Sequence, residues 1–544
     1  MKNGVFTEII YTTSRNAVGD IPRTLLLVGP PLYALNVENR NSIWTGLMTV
    51  GGTTVIGADH NTDTWDLLKP YADCHLFHLD NMDLYAKDSA DPNADPVLLT
   101  SGIEYEFTDK NDYNDGDNAV ITIMHDAVRS LLGVAIGAVV EIYASLIVSR
   151  TTLYNKKIPI RSATDIENNF GRDSMDTHDS VLGFCSGLAL IELGARFDVY
   201  CVDMTDYEGN DPTGYLMDHA VHDSIIDKLR RFSNYYLVPL IKMADYDATE
   251  KGDYQTIIAK YKAHVVSQSS KDEKKECRVY IAKPVMNEGE GLDYGGIGFF
   301  TEYPNSAFKG EQSYIDQAED DVAVAVNYPP TIKSDRVVLI GDYYAITTIG
   351  MEGQVSEVLE GCEIATLVAA KRARVPLGYK MTNGPISGII TRVPHYGYFS
   401  EQHCVALRNA GWYMIFQDTE NSLPICFHQV TTDNGILEQF EESLPIIMDA
   451  YAMDLRETIK DMIANGTVNY VSQDPNSKVF IRYISRLNQM ATPLNNRYKE
   501  KKWLASVAIT SVVPNTIYRD QADVIIRATH YYPLNHANIT IRVI

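Results

Sequence analysis

Side chains that could perform catalysis are few in this 544-residue sequence. A subtilisin-type hydrolase needs an aspartate, a histidine and a serine in a Gly-Thr-Ser-like turn at the start of a helix. The chain contains neither Gly-Thr-Ser nor His-Gly-Thr, and Ser186 lies inside an apolar run that predicts a helix interior. The acidic pairs Asp320-Asp321 and Glu441-Glu442 fit solvated surfaces better than acid–base pairs. We therefore expect no enzymatic activity.

Two stretches are candidates for phosphate binding, and neither has the companion residues that this binding needs. Pro30-Pro31 follows the apolar run 24–29, but no Gly-Lys-Ser/Thr comes after it to supply a lysine and a hydroxyl for phosphate and magnesium. Gly295 and Gly298 lie in a loop that neither follows a buried strand directly nor begins a helix. We expect no nucleotide cofactor.

One short stretch, Cys74, His75 and His78, groups metal-ligating side chains. On a strand, Cys74 and His75 point to opposite faces, and no fourth ligand is near in the sequence, so we expect no zinc site. The seven cysteines of the chain are scattered and include no CxxC. Such a pattern suits reduced thiols better than a disulfide framework.

The charge balance argues against nucleic acid as a partner. The chain has 47 Lys and Arg against 71 Asp and Glu, which gives a formal net charge of −24. Such a surface repels phosphate backbones. The length predicts roughly two to four domains.

Residues 131–148 are long and apolar enough to raise the question of a membrane span. The carboxylate of Glu141 in the middle would cost about 2.5–3.5 kcal/mol on insertion, so we expect a buried helix or a strand pair instead. The beginning of the chain lacks the apolar core of a signal peptide, and none is expected. A membrane-associated protein is the weakest interpretation.

A long amphipathic helix is predicted near residue 443. Apolar side chains recur at steps of three and four over residues 444–463. Ser443 is the candidate N-cap, and Pro445 suits an early helical position. Asn465-Gly466 can end the helix in a left-handed turn.

The rest of the C-terminal region predicts a second helix and closing strands. A second apolar run covers residues 480–491 and stops before Pro493, which predicts a helix end there. A strongly basic piece follows at 495–502. Strands are then predicted at 505–513, 523–529 and 539–544.

Residues 157–430 read as an α/β layer and residues 39–156 as an inserted domain. In the first stretch, apolar helices and buried strands alternate, and Gly194 separates the helix predicted at 182–193 from the next strand. The second stretch is acidic and rich in turns, with short strands predicted at 97–100, 104–107 and 119–124.

This succession of elements resembles contractile tail sheath proteins over about three quarters of the chain. The two helices, basic piece and closing strands follow the segment 423–432 as they do in that family, although His428 and Gln429 stand where the family commonly has an arginine. Four other segments resemble family patterns in the same order: 24–29, 158–171, 194–204 and 360–378.

The resemblance implies an α/β and α+β multidomain fold. It implies an N-terminal arm and first core strand at 1–38, and a largely β outer domain inserted at 39–156. It further implies a subtilisin-like α/β core at 157–430 and a C-terminal α+β sheath domain at 431–544.

The resemblance also implies a structural function without cofactors. Sheath subunits polymerise helically, in hexameric rings, around an inner tube, and contraction drives that tube through a host cell envelope. The expected partners are further copies of the chain, the tail tube protein, and baseplate and tail terminator proteins. The expected location is a virion tail assembled in the host cytoplasm. The alternative is an inactive or unrecognised α/β hydrolase-like enzyme.

The two ends of the chain are candidates for strands exchanged between subunits. Apolar and polar residues alternate over 4–10 and 539–544 without an obvious local hairpin partner. The alternative is a strand that folds back onto its own sheet. The candidate residues are Val5, Thr7, Ile9, Ile539, Ile541 and Val543.

The basic piece is the candidate contact with the tube. Residues 478–502 contain seven basic residues and only one acidic residue, Glu500. Such a concentration of like charge is tolerated best where an oppositely charged partner docks. The alternative is pairing with acidic residues of the same chain. The tube-facing candidates are Arg497, Lys499, Lys501 and Lys502.

Overall fold

The structure is a computed structural model of the chain. It describes residues 24–37, 53–55, 62–66, 74–76, 82–91, 95–107, 120–171, 180–204, 219–241, 248–270, 273–282, 319, 322–323, 325–341, 345–347, 357–359, 361–386, 390–392, 400–417, 422–464, 478–514 and 522–531. The predicted terminal strands at 4–10 and 539–544 lie outside these residues, as do Gly295 and Gly298.

The described residues form both helices and strands. The strands up to residue 150 are β1 (Thr24–Gly29), β2 (Leu32–Val37), β3 (Thr53–Val55), β4 (Thr62–Asp66), β5 (Cys74–Leu76), β6 (Met82–Asp88), β7 (Val97–Leu98), β8 (Tyr105–Phe107), β9 (Val120–Met124) and β10 (Val139–Arg150). The later strands are β11 (Lys157–Ile160), β12 (Phe197–Cys201), β13 (Tyr235–Pro239), β14 (Arg278–Ala282), β15 (Val337–Ile340), β16 (Ala345–Thr347), β17 (Glu357–Leu359), β18 (Ile390–Arg392), β19 (Trp412–Tyr413), β20 (Ile415–Phe416), β21 (Ile425–Cys426), β22 (Leu504–Pro514) and β23 (Ala522–His530). The helices are α1 (His125–Leu132), α2 (Ala163–Phe170), α3 (Val181–Leu193), α4 (His219–Leu229), α5 (Ala248–Gln268), α6 (Pro329–Ile332), α7 (Gly361–Arg374), α8 (Glu401–Ala410), α9 (Leu437–Phe440), α10 (Ser443–Ala464) and α11 (Lys478–Glu500).

A seven-stranded sheet is the largest sheet of the described chain, in the order β11-β12-β1-β13-β14-β15-β19. Its neighbours are parallel except β11, which runs antiparallel to β12. The strands β12, β13 and β14 are buried along their whole length, as expected when both faces of a parallel sheet are covered. The helix α7 packs on α3 and on β13 and β14, and α5 packs on α4 and β14. The mixed α/β pattern predicted from the sequence is confirmed, whereas the likeness to subtilisin stays a prediction.

The described residues between positions 32 and 150 form two further sheets. The long strand β10 pairs with β2, β3, β5 and β6, and β7 extends this sheet from β6. The strands β4, β9 and β8 form a separate three-stranded sheet. The β-rich character predicted for this stretch is therefore present. The strand β2 already belongs to this sheet, although it precedes the predicted boundary at residue 39. The domain boundaries themselves stay predictions.

The apolar stretch 131–148 differs from the buried helix or strand pair that its sequence predicts. It contains the end of α1, a turn and most of one long strand, β10. Gly133 and Gly137 adopt φ angles of 68° and 90°, which end the helix and turn the chain. No helix in the described part of the chain is long and apolar enough to cross a membrane.

The helix α11 continues through Pro493, where the sequence predicts a helix end. A proline removes a single backbone N–H from the helix, at a cost that tertiary packing can offset. The side chains of Leu494, Asn495 and Tyr498, which follow the proline, are all buried. The predicted basic piece is therefore the last turns of α11 and not a separate element. The predicted strands at 505–513 and 523–529 are confirmed as β22 and β23.

A buried histidine of α5, His264, contacts the central sheet. His264 Nε2 is 2.8 Å from the hydroxyl of Tyr235 on β13. Burial, reinforced by the positive charges of Arg230 and Lys275 and opposed by Asp227, lowers the pKa of His264 to about 4. The folded protein therefore keeps this imidazole neutral at pH values where an unfolded chain protonates it.

We expect this histidine to make stability fall with acid between pH 6.5 and about 4. In that window the unfolded chain binds one more proton than the folded chain, so the free energy of unfolding drops by about 3 kcal/mol. The variant His264→Gln can still pair with the Tyr235 hydroxyl but cannot titrate. Urea unfolding at several pH values checks this: the variant should lose less stability across the window, and equal losses would contradict the assignment.

Candidate interaction site

The residues with catalytic chemistry are not assembled into a reactive site in the described chain. Ser186 is buried inside α3, and its hydroxyl donates a 2.6 Å hydrogen bond to the carbonyl oxygen of Leu182. Among the described residues, no group of three or more His, Cys, Asp or Glu side chains could hold a metal ion. His78, Asp320 and Asp321 lie outside the described residues.

A cavity of about 430 Å³ lies beside the start of α1. Its lining combines apolar and polar side chains with a single carboxylate, Asp126. The lining residues are Thr62, Ile103, Met124, Asp126 and Ala127.

The pair Glu441-Glu442 is buried, with 2% and 0% of its surface exposed, so the solvated surface predicted from the sequence is wrong. The hydroxyl of Tyr280 on β14 donates a hydrogen bond to Glu442. Gln429 Nε2 donates to Glu441 Oε1 over 2.6 Å. Burial and the neighbouring Glu442 carboxylate raise the pKa of Tyr280 well above its usual value, so the phenol keeps the proton that it donates. Partners distant in sequence make this burial possible.

The segment before α10 is hydrogen-bonded to β15, to Ser334 just before that strand, and to Met381. The backbone N–H of Thr432 donates to the carbonyl of Val337 over 3.1 Å, and its hydroxyl donates to the carbonyl of Ser334 over 3.0 Å. Gln429 accepts a 2.8 Å hydrogen bond from the backbone of Met381. His428, Gln429 and Thr432 are buried. Gln429 thus joins the segments that contain Met381 and Glu441.

The helix α10 has a polar face that contacts the central sheet. Glu442, which directly precedes the helix, Asp449 and Arg456 are seven residues apart, so they lie along one side of the helix. The apolar side chain of Ile446, also on this side, joins the core of the sheet. We call Glu442, Asp449 and Arg456 the polar face of α10.

Asp449 holds two arginines that belong to neighbouring strands of the sheet. Its Oδ2 atom lies 3.1 Å from Nη2 of Arg278, the first residue of β14. The same oxygen lies 2.5 Å from Nη1 of Arg336, which directly precedes β15. Arg278 is wholly buried and also donates to the carbonyl oxygen of Asp335. One carboxylate therefore ties α10 to two strands.

A second acid links the same arginine to the far end of the polar face. Glu276 pairs with Arg456 and lies 3.6 Å from Nη2 of Arg336. Burial by itself lowers the pKa of Arg336, but the carboxylates of Asp449, Asp335 and Glu276 outweigh it and raise the pKa above its usual value. Three guanidinium groups thus meet three carboxylates, and each charge in this group faces an opposite charge.

The opposite face of α10 is apolar and contacts α11. Ile447, Tyr451 and Leu455 lie four residues apart and belong to a second apolar core with α11 and β22. The hydroxyl of Tyr451 donates a 2.6 Å hydrogen bond to Asn495 Oδ1, and that of Tyr498 donates to Asp454 Oδ2 over 3.0 Å. The helix α10 therefore lies between two cores. Charged side chains bind it to the central sheet, and apolar side chains pack it against α11 and β22.

The strands β22 and β23 form a long hairpin carried by α11. Asn488 Nδ2 donates to the carbonyl of Ile509 over 2.8 Å, and Asn488 Oδ1 accepts from the N–H of the same residue over 2.9 Å. In the described chain each strand pairs with the other alone, over 11 and 9 residues. Ile525 is 47% exposed on β23. The side chain of Asn488 thus occupies part of the outer edge of β22, whereas β23 has no second strand partner among the described residues and can accept a further strand.

The comparisons with known proteins give likeness in structure only. No protein-family model and no curated protein sequence matches the chain. A sheath tail protein from Desulfitobacterium hafniense aligns with 97% of this chain and 100% of its own, at 10% identity and a TM-score of 0.38. A sheath tail protein from Listeria innocua aligns with 95% of this chain and 96% of its own, at 9% identity and a TM-score of 0.37. This chain is similar to tail sheath proteins.

A chain of the anti-feeding prophage baseplate is also similar, over 72% of this chain and 89% of that one, at 13% identity and a TM-score of 0.44. These values describe a distant likeness in fold.

The four basic candidates occupy unequal positions at the end of α11 and in the turn after it. Arg497 is 41% exposed, and its Nη1 lies 3.7 Å from Asp454 Oδ2. For this residue the structure supports the alternative of pairing with an acidic residue of the same chain. Lys501 Nζ lies 4.4 Å from the ring centroid of Trp503. Lys499 and Lys502 are exposed. All four stand close together in sequence beside the hairpin.

Proposed function

We propose that this protein is a structural subunit of a contractile tail, a sheath protein that polymerises helically around an inner tube. Contraction of the assembly would then drive the tube through a cell envelope. The observation that carries the proposal is the β22–β23 hairpin, because β23 has no second strand partner in the described chain and is long enough to accept a strand from another copy. Main-chain hydrogen bonds of this kind can hold subunits together while their bodies turn.

The strands that would pair with the hairpin can come from the two ends of the chain itself. Residues 4–10 and 539–544 alternate between apolar and polar, as a strand with one covered face requires. In this proposal Val5, Thr7 and Ile9 at one end, and Ile539, Ile541 and Val543 at the other, pair with hairpins of neighbouring subunits. The partners are then further copies of the chain, arranged in rings of six.

Negative-stain electron microscopy of the purified full chain tests the proposal. Striated tubes or empty polysheath would support a sheath subunit, because polymerisation is then a property of the chain itself. Monodisperse globular particles over a range of protein and salt concentrations would refute it. An enzyme of the hydrolase type would give such particles together with turnover of ester or peptide substrates.

The basic end of α11 is the proposed contact with the tail tube. Each exposed ion pair contributes only about 0.2–1 kcal/mol. Several such pairs together would bind the subunit to the tube, and each one would still be weak enough to break on contraction. Baseplate and tail terminator proteins would contact the ends of the sleeve. The proposed location is accordingly a tail particle assembled in the cytoplasm of the host.

Reversing Arg497, Lys499, Lys501 and Lys502 to glutamate is expected to abolish co-assembly on tubes while the subunit stays folded. The matched control reverses four exposed basic residues elsewhere, Lys156, Arg161, Lys274 and Lys380. Both variants carry the same change in net charge, so only a local contact distinguishes them. Co-sedimentation with purified tubes at increasing salt is the measurement. Normal sheathing by the first variant would contradict the assignment.

Residues 39–156 are proposed to lie on the outside of the sleeve. This stretch is acidic and turn-rich, and the strand β2 that leads into it pairs with β10 that leads out of it. Limited proteolysis of assembled particles is expected to cut first within residues 109–117, because an outer insertion is reachable by protease. Cleavage there only after digestion of the central sheet would count against an outer position.

A further inference from the structure

We propose that the polar face of α10 sets the angle at which the C-terminal unit is held on the central sheet, with Asp449 as the positioning residue. The C-terminal unit is defined here as α10, α11, β22 and β23. The inference concerns the single subunit, goes beyond the proposed assembly role and does not depend on it.

The first argument is the geometry at Asp449. Arg278 Nη2 and Arg336 Nη1 converge on one oxygen of this carboxylate, at 3.1 Å and 2.5 Å. Guanidinium groups are planar and donate in fixed directions, so two of them on one oxygen restrict how the helix can turn. Apolar packing alone is not directional and tolerates small rotations and shifts. The ionic contacts therefore fix the orientation of α10, which apolar packing alone does not determine.

The second argument is the spread of the contacts along the helix. Glu442 binds Tyr280, Asp449 binds Arg278 and Arg336, and Arg456 binds Glu276. From the first to the last the helix rises about 21 Å. Three attachment points along one axis oppose both sliding and swinging of the helix, whereas a single point would leave it able to pivot.

The third argument is the cost of any other placement. A slip of one helical turn would move Asp449 by about 5.4 Å and separate it from both arginines. Arg278 and Glu442 have no exposed surface in which to find water instead. Alternative orientations thus leave buried charges without partners, and the observed orientation is selected because it pairs them.

The orientation of α10 also determines the positions of α11 and of the β22–β23 hairpin. Tyr451 is bonded to Asn495 and Tyr498 to Asp454, so α11 follows α10. Asn488 of α11 in turn holds Ile509 of β22. The outer edges of the hairpin and the basic end of α11 therefore keep a fixed relation to the central sheet as long as Asp449 keeps its arginines.

Distances between two spin labels in the full chain test the inference. One label is attached at Ala259→Cys on α5 and the other at Gln489→Cys on α11, both exposed positions. Cys185, Cys201, Cys277, Cys362, Cys404 and Cys426 are buried, and the unsubstituted chain treated alike gives the background from native thiols. The variant Asp449→Asn removes the charge at equal size. The matched control Glu457→Gln removes an exposed carboxylate from the same helix, away from the polar face and from the contacts with α11 that are described above.

We expect Asp449→Asn to at least double the width of the distance distribution, and Glu457→Gln to leave it unchanged. The triple variant Arg278→Met, Arg336→Met and Asp449→Leu replaces the ionic group by apolar side chains. It should fold and unfold cooperatively, yet show the same broadening. A folded triple variant with the original distribution would overturn the proposal. Failure of the triple variant to fold would also overturn it, since the charges would then be needed for folding itself.

Discussion

Replacing Asp449 by alanine is expected to lower the free energy of unfolding by about 3–5 kcal/mol. The carboxylate is the shared partner of Arg278 and Arg336, and Arg278 is wholly buried. Removing one partner of a buried ion pair leaves the other charges without compensation in a medium of low dielectric constant. Denaturant unfolding followed by circular dichroism measures the loss, with the midpoint moving to lower denaturant.

An exposed ion pair serves as the control for this variant. Asp223 Oδ2 lies 2.6 Å from Lys260 Nζ, and its side chain is 63% exposed. Because solvent screens this pair, Asp223→Ala is expected to cost no more than about 1 kcal/mol. Similar costs for the two alanine variants would show that Asp449 contributes no more than a surface charge, and would contradict the role given to the buried network.

Removal of residues 539–544 is expected to abolish tube formation and to leave a soluble, folded monomer. In the proposed assembly this strand pairs with another subunit, so its loss removes a main-chain ladder without disturbing the cores around α10. Electron microscopy of the truncated chain, with thermal unfolding of the same sample, measures both properties. Tubes of normal appearance from the truncated chain would show that the strand is not needed between subunits.

A subtler pair of variants separates strand pairing from mere chain length. Serine at Ile539, Ile541 and Val543 removes the apolar side chains of one face, whereas serine at Thr540 and Arg542 alters the other face. A strand that packs one face on a neighbour should lose assembly in the first variant and keep it in the second. Equal behaviour of the two variants would argue against a paired strand with a single covered face.

Elements that depend on local patterns were predictable from the sequence alone. A continuous apolar run such as 24–29 indicates a buried strand, here β1, because a strand covered on both faces has no polar side. Gly194 predicted the end of α3, where it adopts the left-handed conformation at a φ of 61°. Spacings of three and four predicted α10, whose start differs from the predicted cap by one residue.

The polar contacts around α10 depend instead on the tertiary structure. Glu442 and Tyr280 are 162 residues apart, and Asp449 and Arg278 are 171 apart. No local pattern distinguishes an acid that will meet such a partner from one that will meet water, so Glu441-Glu442 was predicted to be solvated. The spacing of Glu442, Asp449 and Arg456 by seven was visible in the sequence, but the charges on the facing strands were not.

Tertiary packing also overrode two local signals. Pro493 predicted a helix end, yet α11 continues because Leu494 and Tyr498 beyond it are buried in the second apolar core. Residues 131–148 predicted one buried helix or a strand pair, yet they divide at Gly133 and Gly137 because β10 pairs with strands on both of its sides. Local propensity amounts to at most a few kcal/mol per site, and burial of several large side chains outweighs it.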